Sequence, residues 1–219
     1  DIFLVKYNSS GTKIWTKQLG TSKHEDAYQV TTDSTGHIYM TGYTAGDLYG
    51  NTSSGGKDIF LIKFNSSGTK IWTKQLGTSS MDIVLGLTTD SSGNIYVTGE
   101  TGGGLDGNTS LGWIDIFLVK FNSSGTKQWT KQFGTSGLDW GTDSCIQAGK
   151  GVTTDSSDNI YLTGRTPGGL DGNTNSGGSN DIFLVKYNSS GTKQWTKQLG
   201  TTSSDYGQGV STDSSGNVY

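Results

Sequence analysis

The 219-residue chain sets 16 Lys and Arg against 19 Asp and Glu, for a net charge of −3, and holds 30% hydrophobic residues, 35 glycines and a single cysteine. Charges of both signs are spread along its length, so no basic surface for nucleic acid or an anionic membrane is concentrated anywhere. The lone Cys145 excludes an intrachain disulfide and a cysteine-based metal cluster, and no apolar run reaches transmembrane length.

Abundant Gly, Ser and Thr with few apolar residues point to many short strands joined by tight turns. The opening stretch, Asp1 to Gly20, is written again from Asp58, Asp115 and Asp181, at intervals of 57, 57 and 66 residues. Self-similarity at this period is the mark of propellers and solenoids. The chain divides into one domain of repeat units 1–57, 58–114, 115–180 and 181–219, the last incomplete. Both ends fall inside a unit, which leaves two expectations. One is a closed four-bladed ring, with strands near Val210 and Val218 pairing with those at Asp1 to Asn8 and Lys13 to Leu19. The other is an arc of a larger propeller.

Within one unit the first strand is expected near Tyr28 to Thr32. A turn at Asp33 to Gly36 leads to a second strand at His37 to Thr41. A long loop, Gly42 to Lys57, precedes the third strand at Ile59 to Phe64; the turn Asn65 to Gly68 leads to the fourth at Lys70 to Leu76. Asp-x-x-Gly and Asn-Ser-Ser-Gly between apolar runs form hairpins because Asp and Asn cap their own backbone and Gly takes positive φ. Each unit therefore reads as a four-stranded antiparallel meander. The continuous run Ile-Phe-Leu-Val predicts a strand buried on both faces, as in a blade held between two neighbours. Trp15, Trp72, Trp129 and Trp195 recur in register and read as packing between blades.

These residues carry a resemblance. Asp-x-x-Gly-Asn-x-Tyr-x-Thr-Gly, then a Gly-rich loop, then Asp-Ile-Phe-Leu-Val-Lys-Tyr-Asn-x-x-Gly-x-x-x-Trp, is similar to the bacterial SBBP family of β-propeller repeats, over essentially the whole chain. The resemblance implies a propeller, often of about seven blades, in proteins that are secreted or surface-attached, and no catalytic residues.

Residues present in every copy are explained by the fold, so function is sought in what remains. In a propeller the first-to-second and third-to-fourth turns share one face and the long connections share the other. Here the turns are short and nearly invariant, and the long connections vary. Residues unique to their copies include Trp113, at the end of the second long loop, and Trp140 and Asp143, in an insertion of eight residues between Gly134 and Val152. Tyr49, Glu100, Arg165, His24, Glu25 and His37 also stand apart, whereas Asp26, Asp82, Asp139 and Asp205 read as a per-blade set before the first strand. Exposed aromatics beside carboxylates on loops suit sugar or peptide ligands, which selects Tyr49, Trp113, Trp140, Asp106 and Asp143 as candidate ligand-binding residues.

The Leu105-Asp-Gly-Asn108 and Leu170-Asp-Gly-Asn173 loops have too few carboxylates for a recognised calcium loop and read as Asx turns. No cofactor or metal is expected beyond that weak calcium alternative. No nucleophile elbow, zinc motif or Cys/His pair is present, and a glycosidase pair of Glu100 with Asp106 or Asp143 would need a separation that the sequence does not give.

The expectation is a non-enzymatic, secreted or cell-surface module in a bacterium, binding a glycan or protein through the long-loop face. Neither nucleic-acid binding nor membrane insertion is expected. The alternative is a structural spacer that self-associates through its incomplete terminal blade.

Overall fold

A computed structural model describes residues 1–136 and 151–219. Trp140, Asp143, Asp139 and Cys145 therefore lie outside the described residues. The strands are β1 (Ile2–Tyr7), β2 (Lys13–Leu19), β3 (Glu25–Thr32), β4 (Ile38–Thr44), β5 (Asp58–Phe64), β6 (Lys70–Leu76) and β7 (Asp82–Thr89). They continue with β8 (Ile95–Thr101), β9 (Asp115–Phe121), β10 (Lys127–Phe133), β11 (Gly151–Thr154), β12 (Ile160–Thr166), β13 (Asp181–Tyr187) and β14 (Lys193–Leu199). They form three four-stranded sheets, β3-β4-β5-β6, β7-β8-β9-β10 and β11-β12-β13-β14, preceded by the two-stranded sheet β1-β2. All pairings within these sheets are antiparallel between chain neighbours, so each sheet is the expected meander. We call the three full sheets the first, second and third blades.

First strands gather on the inner side: β7 packs against both β3 and β11. A ladder of bonds runs along their ends, as the Thr89 hydroxyl donates to the Thr32 carbonyl, Thr154 to Thr89, and Thr212 to Thr154. The fourth strands lie outermost. Third strands fill the space between blades, and every residue of β5 and β9 is buried. Phe117, Val119 and Phe121 of the second blade share one apolar cluster with Ile59, Leu61 and Tyr39 of the first; burial of such side chains is worth about 1.5–3 kcal/mol each.

The repeated tryptophans are packing residues. Trp72, Trp129 and Trp195 sit 6.1 Å from the rings of Tyr39, Tyr96 and Tyr161 in the same blade. Each of Trp15, Trp72 and Trp129 also lies under the next blade's hairpin glycine, Gly68, Gly125 or Gly191. Those glycines hold φ of 78°, 80° and 79°, and a Cβ on Gly125 would meet the Trp72 ring at 2.9 Å. Conformation and contact both demand glycine there.

A buried lysine locks each junction. Lys63 and Lys120 donate from Nζ to the Ser123 and Ser189 carbonyls of the following blade, both at 2.9 Å. Each amine also lies 5.2 Å from the centre of a tyrosine ring, Tyr39 or Tyr96, a favourable position for a cation over a π face.

The arc does not close. The segment around Val210 and Val218 folds on itself through a Thr212–Val218 bridge, and among the described residues β1 pairs only with β2. The four-bladed ring expected from two-plus-two pairing is therefore not formed. Its consequence is visible in burial: Phe3 is 71% exposed, whereas its counterparts Phe60, Phe117 and Phe183 are at 0%. At the other end Leu199 and Tyr219 are exposed.

Candidate functional site: the long-loop face

Three long connections define this face: 45–57 after β4, 102–114 after β8 and 167–180 after β12. Each is pinned by the glutamine of the fourth strand. Gln75, Gln132 and Gln198 donate from Nε2 to a loop carbonyl (Gly46, Gly103, Gly168) and to a carboxylate at the start of the third strand (Asp58, Asp115, Asp181). Their Oε1 atoms accept from the backbone N–H of Leu48, Leu105 and Leu170, at 2.9, 2.8 and 3.0 Å. Those leucines are buried, so the loops are bolted to the sheet by one side chain that reads the same in every blade.

Asp106 follows the buried leucine in a left-handed conformation, φ 54°, within the 3-10 turn Leu105–Gly107. Its carboxylate accepts from Lys127 Nζ and the Thr130 hydroxyl of the outer strand. Asp171 does the same with Lys193 and Thr196; burial would raise its carboxyl, but these donors outweigh that and hold it below the usual range. Tyr49 occupies the same position in the first blade, φ 49°, with Lys70 Nζ 3.2 Å from its ring centre. Asp106 and Tyr49 are thus loop anchors as well as surface residues. Among the described residues no group of three or more His, Cys, Asp or Glu side chains is placed to hold a metal.

The structure brings together two of the non-repeated residues. Glu100 and Arg165 stand at matching positions on β8 and β12, opposite Ile116 and Ile182 of β9 and β13. Both line one cleft between the second and third blades, with Ile114, Thr135, Thr166 and Asn180. Its water-accessible space is about 40 Å³, room for a few waters rather than a sugar ring. The Arg165 guanidinium also lies 5.0 Å from the Tyr206 ring. Asp106 lies elsewhere, in an outer groove of about 470 Å³ between the first and second blades, with Ser54, Lys74, Gln75 and Lys127. Glu100 and Asp106 therefore do not share a pocket. Trp113 is 64% exposed, beside exposed Leu111 on the same loop.

One register differs from the sequence reading. The carboxylate that recurs where the first strand begins is Glu25, not Asp26. Glu25, Asp82 and Asp205 each accept from the backbone N–H and hydroxyl of a preceding threonine, Thr21, Thr78 or Thr201. Asp82 is fully buried; burial pushes its carboxyl up despite those donors and Thr101. Asp26 is the unique residue: it accepts from the Tyr43 hydroxyl at 2.6 Å, with His24 3.9 Å away and Lys57 Nζ 4.0 Å from the Tyr43 ring centre. The signal is the count from the repeated glycine: Asp82 stands five positions after Gly77, as Glu25 does after Gly20.

Radially stacked four-stranded meanders with their first strands innermost define a β-propeller architecture. Three stretches, residues 14–50, 71–106 and 194–219, match the SBBP β-propeller repeat. It is 25% identical over 236 residues, 85% of this chain, to an uncharacterized WD repeat-containing protein of Acanthamoeba polyphaga mimivirus. It is 27% identical over 152 residues, 62% of this chain, to a regulatory protein, FlaEY, of Caulobacter vibrioides. The chain spans 16% of the length of each of these relatives. No helix among the described residues is long and apolar enough to cross a membrane.

Proposed function

We propose that the chain is a non-catalytic propeller module that binds a protein or glycan ligand through its long-loop face. One observation carries this reading: on that face, positions equivalent by register hold unlike side chains on loops that a glutamine bolts to the sheet in the same way in each blade. Tyr43, Glu100 and Arg165 share one such position, facing Ile59, Ile116 and Ile182 in turn. Tyr49 and Asp106 share another, at the left-handed residue after the buried leucine. A rigid frame with changeable side chains is how loops on a fixed scaffold recognise ligands. Exposed Trp113 and Tyr49 supply rigid aromatic area. The likeness to a WD repeat-containing protein of the mimivirus supports a role in protein interaction in general.

The test is to screen the wild-type chain on a glycan array and against a displayed peptide library, then to measure each hit on Trp113→Ala and Tyr49→Ala. Both variants are expected to lose at least tenfold in affinity, Trp113→Ala with little change in melting temperature. Hits that bind both variants as well as wild type would contradict it.

An extracellular or cell-surface setting, in a bacterium, is proposed on the family resemblance alone; finding the protein only in a cytosolic fraction would count against it. A second reading, an assembly module, draws on the apolar faces at Phe3 and Tyr7 and at Leu199. It expects a mass in solution that rises with concentration, and a strict monomer would remove it.

A further inference from the structure

The opposite face, built of the short turns, carries one departure from the repeat. The turns after the first strands run Asp-x-x-Gly, with Gly36, Gly93 and Gly216 at φ 83°, 74° and 82°, but the third blade has Asp158 at φ 58°. An L side chain in that region is strained unless something holds it. What holds Asp158 is the neighbouring turn: its Oδ1 accepts from the Ser91 backbone N–H and its Oδ2 from the Ser91 hydroxyl, both at 3.1 Å. The second blade's turn thus presents an N–H and an O–H as a two-point carboxylate clamp, filled from the next blade.

The first blade presents the same clamp unfilled from its own chain. Ser34 stands in its turn where Ser91 stands in the second, and across from it is Gly93 instead of an aspartate. Between the two turns is a groove of about 290 Å³ lined by Ser34, Thr35, His37, Ser92, Gly93 and Ser123, with Lys63 in its wall. Lys63 is 6% exposed and its amine is fixed by the Ser123 carbonyl, so a positive charge stands close to the groove in a poorly solvated place. Asp33 also borders the groove, but its carboxylate already accepts from Thr35, His37 and Tyr39. Asp90 is engaged in the same way beside Asp158, so the filled junction shows that a second carboxylate is accommodated there.

We propose that the groove between the first and second blades on the short-turn face binds a carboxylate, supplied by an acidic side chain of a protein partner, with Ser34 as its two-point donor. The geometry is the one that the chain itself uses for Asp158.

The test is an amide-resolved NMR titration of the 219-residue chain with a short Asp-containing peptide, its Asn counterpart and glucuronate. The peptide is expected to shift the Ser34 and Gly93 amides saturably, and the Asn counterpart to leave them in place. Gly93→Asp supplies the carboxylate in cis and is expected to weaken peptide binding at least tenfold; a Cβ there meets nothing nearer than Ser123 at 3.8 Å. Asp158→Gly vacates the second clamp and is expected to add a peptide-dependent shift at Ser91. No shift at Ser34 with the peptide, or undiminished binding by Gly93→Asp, would overturn the proposal. Binding of glucuronate without binding of the peptide would overturn the assignment to a protein side chain.

Discussion

At the scale of single residues, the fold rests on polar side chains that cap turns and on glycines placed under contact. Burial would raise the Asp33 carboxyl, but donors from Thr35, Tyr39 and His37 outweigh it and hold it at about 2. A carboxyl depressed in the folded state stabilises above its unfolded value near 3.9, and loses that contribution as pH falls through about 2. Asp33→Asn should therefore cost about 2 kcal/mol at pH 7 and almost nothing near pH 2, read from denaturant unfolding at both pH values; an equal cost at both would refute the assignment. Gly125→Ala forces an L residue to φ 80° against the Trp72 ring, and a loss of about 2 kcal/mol or more is expected in the same assay. The Asp and Asn turn caps were readable from spacing alone, because a cap acts within four residues. The anchoring role of Asp106 is not readable that way, because it depends on the fold-back of its loop onto Lys127 and Thr130 of β10. Asp158 stood in plain view as the one aspartate in a glycine position, but its partner Ser91 lies in another blade.

Strands and loops behave as units because one side chain couples them. Gln132 satisfies the Gly103 carbonyl, the Leu105 N–H and the Asp115 carboxylate together. Gln132→Ala leaves these buried groups without their partner, at a cost of about 1–3 kcal/mol. Hydrogen exchange at the Leu105 amide should accelerate before that of β9 does; uniform acceleration across the blade would show that the loop is held by something else. The alternation and turn chemistry located the third and fourth strands nearly to the residue, and the uninterrupted Ile-Phe-Leu-Val run foretold the burial of β5 and β9 on both faces. First and second strands ran longer than expected, Glu25–Thr32 and Ile38–Thr44. Their extra residues, Tyr43 apart, are polar or small, and they are strand because Glu25 pairs across to Thr44, a tertiary condition that local propensity does not contain.

For the whole molecule, the same junction is built repeatedly: third-strand apolar residues between blades, a lysine reaching forward, a tryptophan under the next glycine. Stability in such stacks is close to a sum over neighbours, so Trp72→Ala should cost about 3 kcal/mol and weaken the junction between the first and second blades more than that between the second and third. Exchange rates in β9 and β13 would report the difference. Blade order was legible because repetition writes it directly, whereas whether the arc closes depends on how its two ends meet in space, which no local pattern records. The repeat also separates scaffold from recognition, since a position copied in each blade is answerable to packing and a position that varies is free to meet a ligand. The measurement that tests this most directly is calorimetric binding of the glycan or peptide hits to wild type, to Trp113→Ala and to the scaffold variant Trp129→Phe. Trp113→Ala is expected to lose at least tenfold in affinity with its melting temperature kept, while Trp129→Phe lowers the melting temperature and keeps the affinity. The reverse pattern would contradict this expectation.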